Sequence, residues 1–288
     1  MLTARAPAKI NLTLHVLGRR ADGYHELESL VAFAGIGDSL SFEAGDGLTL
    51  AVSGPHADAV GASADNLVFR AARELATRVD NLQAGDFHLL KRLPVASGIG
   101  GGSSDAAAAL RLLAQHNRLA IADERVIAAA RATGADVPVC LDPHARMMSG
   151  IGERLGAPLM LTPLFAVLVN PGVAVETRAV FSRLGLQAGE NSGSVGRSEI
   201  PASIDRAALL PLLKKGRNDL EDAACSLAPV IVDVLAVLSA AKGSRVARMS
   251  GSGATCFALF ENCRQAARAA RAIRRDHPSW WVKPTVLR

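Results

Sequence analysis

The order of strand and helix signals along this 288-residue chain predicts a mixed fold, α+β or α/β. Three observations carry that prediction. Apolar residues recur at period two within residues 8–17, the pattern of a half-buried strand. A glycine-rich turn runs directly into an alanine-rich helical segment near residue 103. The second half alternates again, with apolar strands near 165–169 and 255–260 separated by a helix near 228–241. A second lobe is expected to begin near 150–160, dividing the chain into 1–155 and 156–288.

In the first strand Ile10, Leu12, Leu14 and Val16 form the core face, and Lys9, Asn11, Thr13 and His15 the polar one. Residues 65–80 read as a helix after Asp65, with Leu67, Val68, Ala71, Ala72 and Leu75 as its apolar stripe. A strand near 86–92 leads to Pro94, and a helix spans about 103–116. The next helix starts at an Asp123 cap and runs to about Thr133, where Gly134 stops it. Residues 185–200, rich in Gly, Ser and Asn, read as a loop or disordered segment. In the last helix Arg264, Arg268, Arg271 and Arg275 recur at helical spacing with Ala267, Ala270 and Ile273 between them. That is the solvated face of an amphipathic helix, which Trp280 and Trp281 are expected to pack down.

With 49% hydrophobic and 20% charged residues the composition is that of a soluble globular protein. No apolar run approaches the roughly 18–20 residues needed to span a bilayer, and the start MLTARAPAKINL does not read as a secretory leader. Cys140, Cys225, Cys256 and Cys263 contain no C-x-x-C pair, so buried reduced thiols and a cytoplasmic location are expected. The net charge of +5 is concentrated from Arg264 onward, where seven cations face Asp276 alone; the rest is nearly neutral, which argues against a nucleic-acid partner.

Two stretches carry chemistry. Residues 94–105 read Pro-Val-Ala-Ser-Gly-Ile-Gly-Gly-Gly-Ser-Ser-Asp. Small residues this dense let backbone N–H groups approach a bulky anion, and the helix that follows adds free N–H groups and the positive end of its dipole. Ser103 and Ser104 add hydroxyls at the cap, making a cradle for a nucleotide phosphate tail. No Gly-Lys-Ser/Thr follows, which excludes a Walker A loop, and Ser103 occupies the third glycine position of the dinucleotide fingerprint. A second turn, Met249-Ser250-Gly251-Ser252-Gly253-Ala254-Thr255, precedes an apolar strand.

Pro7-Ala8-Lys9-Ile10-Asn11-Leu12, Pro94 to Ser104 and Ser250 to Gly253, in this order, resemble the three motifs of the GHMP kinase superfamily of small-molecule kinases. The resemblance covers most of the chain. It implies an α+β fold of two lobes, the N-terminal one similar to ribosomal protein S5 and the C-terminal one ferredoxin-like. Further stretches narrow it: Arg20-Ala21-Asp22-Gly23-Tyr24-His25-Glu26-Leu27, Asp65-Asn66-Leu67, Lys91-Arg92-Leu93-Pro94, Gly134-Ala135-Asp136-Val137-Pro138, Gly150-Ile151-Gly152-Glu153 and Asn218-Asp219-Leu220-Glu221. They are similar to the branch that phosphorylates a cytidine-diphosphate-linked small molecule for isoprenoid synthesis. Ile99 stands where leucine is common, Asp105 where asparagine is frequent, and Arg178 where some relatives carry proline.

The resemblance implies transfer of the ATP γ-phosphoryl group to a tertiary hydroxyl, with Asp136 as base and Lys9 as its charge partner. Mg²⁺ follows from the ATP chemistry, with unknown ligands; Ser104 is a candidate. Substrate contacts fall on Asn11, Tyr24, His25, Thr177 and Phe181, with Tyr24 and Phe181 on the two sides of the base. The ATP site takes Pro94, Val95, Ala96, Ser97, Gly98, Ile99, Gly100, Gly101, Gly102, Ser103, Ser104, Gly251 and Gly253, with Asn66 and Lys91 toward the base or ribose. Read singly, Asp136 is equally a turn or cap residue after Gly134, and Lys9 a solvated strand-edge lysine. Homoserine or mevalonate acceptors, and a non-catalytic nucleotide- or RNA-binding protein of S5-like fold, are the competing readings. A monomer and a homodimer are both compatible with the sequence.

Overall fold

A computed structural model describes residues 1–60, 65–192 and 200–288. Strands β1 (Leu2–Asn11) and β2 (His15–Arg19) precede the long β3 (His25–Ala44) and β4 (Thr49–Ser53). Helix α1 (Leu67–Ala76) and β5 (Gly85–Leu90) lead to α2 (Gly101–His116), α3 (Glu124–Thr133) and α4 (Val137–Leu141). Strands β6 (Arg146–Gly150), β7 (Arg154–Leu155), β8 (Met160–Leu161) and β9 (Leu164–Asn170) follow, then α5 (Thr177–Arg183). The order continues with β10 (Ser203–Ile204), α6 (Arg206–Lys215), α7 (Glu221–Leu227) and α8 (Val230–Ala240). It ends with β11 (Val246–Met249), β12 (Cys256–Phe260), α9 (Cys263–Asp276) and β13 (Trp281–Leu287).

The chain divides into two compact units that are discontinuous in sequence. The first comprises Met1–Lys9, Ile36–Val95 and Gly100–Pro143. In it the second half of β3 pairs antiparallel with β5, from Ser39↔Leu90 to Ala44↔Gly85, and β4 runs parallel to β5. Helix α2 packs against α1 and α4, and α1 against α3. Phe42, Leu40, Phe87 and Leu89 are buried on one side of the strands and Leu75 and Leu110 on the helices. Each such side chain contributes about 1.5–3 kcal/mol when fully withdrawn from water.

The second unit comprises Ile10–Gly35, Ala96–Ile99 and His144–Arg288. Its strands β11, β12, β9 and β13 lie side by side, all antiparallel. Every residue of β12 is buried, so its Cys-Phe-Ala-Leu-Phe run shows no alternation, as in a strand covered on both faces. Helices α8 and α9 cover these strands, burying Ile231, Val234, Leu238, Ala270 and Ile273 against Val167, Val169 and Cys256. The first part of β3 pairs with β2 and with β6.

Helices α2 and α3 fall within two residues of the expected bounds; Asp123 caps α3 by accepting from Arg125 N at 2.9 Å and Gly134 ends it. Three expectations are corrected. The strand read over 8–17 breaks at Leu12–Leu14, and the face read as polar is buried: Lys9, Asn11 and Thr13 are 4%, 4% and 9% exposed. Helix α1 is capped by Asn66, not Asp65, because the Asn66 side chain accepts from Val68 N at 2.9 Å. The cysteines are free, but only Cys140 and Cys256 are buried; Cys225 is partly buried and Cys263 exposed. The long strand β3 carries no alternation over Glu28–Ala34, all buried, which hides it from a period-two search. Of the segment 185–200, residues 193–199 lie outside the described residues. The arginines Arg264, Arg268, Arg271 and Arg275 are exposed along α9, as its periodicity predicts.

Candidate active site

In the first unit, Lys9 lies two residues before the end of β1 and its ammonium has an acidic partner. Lys9 Nζ lies 2.8 Å from Asp136 Oδ1, with the lysine side chain 5% and the aspartate 40% exposed. Asp136 holds the N-cap position of α4 yet makes no capping hydrogen bond. Its carboxylate is turned to Lys9 instead, which removes the reading of Asp136 as a plain helix cap. Lys9 reaches it by passing over Gly100, the N-cap of α2, where a Cβ would come 3.2 Å from Lys9 Cβ and 3.3 Å from Cε. A buried ammonium requires a compensating anion, and the exposed side of Asp136 leaves that pair open to a ligand.

The glycine-rich stretch has its backbone in the left-handed region at Ala96, Gly98 and Gly100, with φ of 49°, 73° and 61°. Such geometry turns successive N–H groups toward one side, the arrangement that receives phosphate oxygens at a helix start. Not every residue of the stretch is available to a ligand. Pro94, Ser97 and Ile99 are buried, whereas Val95, Ala96 and Gly102 are exposed and Gly98, Gly100, Gly101 and Ser103 half-buried. The two serines separate: Ser103 stays accessible, while Ser104 is fully buried and its hydroxyl donates to Pro7 O at 2.8 Å. Ser104 therefore has a structural bond where a metal contact is the other expectation. Asn66 spends its side-chain oxygen on the α1 cap. Lys91, expected toward the base or ribose, is 3% exposed and its ammonium is shared between Asp38 and Asp105.

Within the second unit, the turn at 249–255 grips the middle of the glycine-rich stretch. A Cβ on Gly98 would lie 2.6 Å from both Ser250 O and Gly253 O, and one on Gly251 2.6 Å from Gly98 O. Ser250 Oγ accepts from Asn11 N at 3.0 Å and donates to Gly98 O at 3.2 Å, and Thr255 N donates to Ser97 O. Ser250 thus joins all three glycine- or asparagine-bearing motifs through one hydroxyl. The Asn218–Glu221 segment holds the turn from behind: Asn218 Nδ2 donates to Met249 O and Gly251 O, and Glu221 Oε2 accepts from Met249 N at 2.8 Å. Burial pushes the Glu221 carboxyl above its ordinary pKa. Neither Ser250 nor Asn218 stands out in the sequence as a positioning residue, since serine and asparagine in glycine-rich turns are common.

The candidate substrate residues also cluster in the second unit. Tyr24 is 60% exposed and closes a turn in which Arg20 N donates to its carbonyl. His25 opens β3, its ring 4.8 Å from that of Phe181 and tilted by 30°. Phe181 therefore backs His25. Burial, with Arg19 adding to it, lowers the His25 pKa, which keeps the imidazole neutral at pH 7. Two buried polar atoms here lack protein partners among the described residues, His25 Nε2 and Asn11 Oδ1. Buried polar atoms are rarely left so. Asn11 Nδ2 is held by Ser29 Oγ at 2.8 Å, and Thr177 Oγ1 pairs with Ser252 Oγ at 2.8 Å, tying α5 to the glycine turn. Among the described residues no group of three or more His, Cys, Asp or Glu side chains could hold a metal, and no helix is long and apolar enough to cross a membrane.

Comparison with known proteins shows the family. Residues 66–142 match the GHMP kinases N terminal domain and residues 202–279 the GHMP kinases C terminal domain. The chain is 61% identical over 289 residues to a 4-diphosphocytidyl-2-C-methyl-D-erythritol kinase of Methylobacterium radiotolerans, covering 100% of this chain and 99% of the relative. It is 58% identical to the enzyme of the same name in Azorhizobium caulinodans, with the same coverage. A crystal structure of 4-(cytidine 5'-diphospho)-2C-methyl-D-erythritol kinase superposes with a TM-score of 0.79 at 34% identity over 99% of both chains. A homoserine kinase from Cytophaga hutchinsonii, at 18% identity and a TM-score of 0.65, shares the fold. The chain is a kinase of α+β fold that belongs to the GHMP kinases, within the family of the 4-diphosphocytidyl-2-C-methyl-D-erythritol kinases.

Proposed function

We propose that the protein transfers the γ-phosphoryl group of ATP to the 2-hydroxyl of 4-diphosphocytidyl-2-C-methyl-D-erythritol, in the non-mevalonate route to isoprenoid precursors. The observation that carries the reading is the pairing of buried Lys9 with half-exposed Asp136 at 2.8 Å. A nucleotide- or RNA-binding protein has no need of such a pair. The substrate choice rests on the names of the full-length relatives and on the turn Gly23-Tyr24-His25.

Asp136 takes the proton of the substrate hydroxyl as the oxygen forms its bond to the γ-phosphorus. The bond from that phosphorus to the β–γ bridging oxygen breaks, and ADP departs. In a loose transition state the proton leaves late, so a positioned carboxylate suffices as base. The Lys9 ammonium offsets the charge that develops on the transferred group. The backbone N–H groups of the glycine-rich stretch and of the first turn of α2 receive the phosphates. Mg²⁺ fits this site as a passenger of the nucleotide: it favours phosphate oxygens and waters with few protein ligands, and Ser103 and Asp136 are the accessible protein oxygens. When bound it neutralises phosphate charge.

Tyr24 offers its ring to the face of cytosine, and His25 Nε2 meets the polar edge of the base. Asn11 Oδ1 accepts from a hydroxyl of the substrate. A panel of acceptors read by ADP release tests the assignment. Turnover is expected with the cytidylated substrate and not with homoserine or mevalonate; release with mevalonate alone would sink it. Tyr24→Ala is expected to raise KM for the cytidylated substrate by about tenfold or more, the loss of about 1–2 kcal/mol of ring contact, and to leave KM for ATP unchanged. An equal rise in both would make the stretch structural.

A further inference from the structure

Three charged side chains that the proposed chemistry leaves unused lie together in the first unit. Asp38, Lys91 and Asp105 are 1%, 3% and 3% exposed. Lys91 Nζ donates to Asp38 Oδ2 at 2.7 Å and to Asp105 Oδ2 at 2.6 Å. The other oxygen of Asp38 accepts from Arg92 N at 2.5 Å and Leu93 N at 2.8 Å, the two residues before Pro94. Asp105 lies in the first turns of α2, and a Cβ added to Gly101 would meet Lys91 Nζ at 3.2 Å. One ammonium is therefore packed under the start of α2 while its aspartate partner holds the chain entering the glycine-rich stretch.

We infer that Asp38, Lys91 and Asp105 form a buried clamp that positions both ends of the phosphate-binding loop. The inference rests on reading residues 94–104 as the ATP loop. The clamp explains why Lys91 precedes the loop without reaching the nucleotide with its side chain. Charged groups in a dry interior are costly unless they are paired and hydrogen-bonded, and here the ammonium meets both carboxylates while Asp38 also accepts from two backbone N–H groups. Burial pushes the Asp105 pKa up to about 7; Lys91 opposes the shift and the Asp38 charge adds to it. Burial alone would lower the Lys91 pKa, but the carboxylates of Asp105 and Asp38 outweigh it, so the lysine stays charged.

Asp105→Asn keeps a donor and an acceptor. Its KM for ATP is expected to stay within about twofold of wild type, and Asp105→Ala to raise it by about fivefold or more with KM for the cytidylated substrate unchanged.

An Asp105→Ala chain with wild-type KM for ATP, or with both KM values raised equally, overturns the clamp. Should Asp105→Ala not fold, Asp38→Asn, which weakens the acceptor of Arg92 N and Leu93 N, carries the same expectation for ATP. Calorimetric titration of wild type with ATP separates the two readings: no binding there ends the nucleotide assignment, whereas binding that Asp105→Ala and Asp38→Asn retain in full ends only the clamp.

Discussion

Asp136→Asn is expected to lower turnover by about 100- to 10,000-fold, the range typical of a positioned base, while ATP binding stays near the wild-type level. The amide is the same size, so the α4 start and its surroundings keep their packing. What disappears is the acceptor for the hydroxyl proton and the anion beside Lys9. Lys9 is 5% exposed in its side chain and then lacks its charge partner, so some stability is lost as well. The half-exposed position of Asp136 keeps that loss small. Single-turnover phosphoryl transfer together with ATP titration distinguishes the two effects. Wild-type turnover would remove Asp136 from the role of base. On the proposed roles Lys9 and Asp136 work as a pair, so Lys9→Met combined with Asp136→Asn is expected to be little slower than Asp136→Asn alone.

Gly98→Ala is expected to weaken both the fold and ATP binding. The residue has φ of 73° and no room for a side chain: a Cβ would meet Ser250 O and Gly253 O at 2.6 Å and Gly253 N at 2.7 Å. All three are backbone atoms, so no rotamer change relieves them. The left-handed backbone costs about 1–2 kcal/mol for alanine and overpacking about 1–3 more, giving a loss on the order of 2–5 kcal/mol. Relief requires the 249–253 turn to withdraw from the stretch. Then Ser250 Oγ loses Gly98 O, and the N–H groups meant for phosphate lose their fixed direction. KM for ATP should rise by at least about tenfold, with a smaller change for the other substrate. Urea unfolding and ATP titration check it; unchanged stability and affinity would mean that the two turns do not depend on each other.

The amphipathic α9, the capped α3 and the start of α2 were legible because their determinants are local. An Asp or Gly at the end of a periodic run and arginines at helical spacing need no distant partner. The GHMP motifs were legible for the same reason, being short runs with unusual composition. Strand β3 was not, since Glu28–Ala34 is buried on both faces and shows no alternation. Lys9, Asn11 and Thr13 read as the polar face of a half-buried strand, with Lys9 and Asn11 turned into a site; that all three are buried is decided by the fold. The packing of the Phe181 ring on His25 at 4.8 Å has no signal in the sequence. The cytidine residues were named from family likeness, whereas the phosphate stretch was read from its glycines and the helix that follows.

From the residues alone came the mixed fold, the nucleotide-phosphate cradle at 94–104, the kinase family and the candidacy of Lys9 and Asp136. Tertiary structure decided which of these groups are free to act. It paired Lys9 with Asp136, turned Ser104 to Pro7 and left Ser103 accessible. It withdrew Lys91 into the Asp38 and Asp105 pair, and made Ser250 the link between Asn11 and Gly98. The physical reason is distance along the chain. A cap or a stripe is satisfied within one turn of helix, but Asn11 and Ser250 are 239 residues apart. Whether a polar side chain is spent on the protein or kept for a ligand depends on such partners, and only the folded chain brings them together.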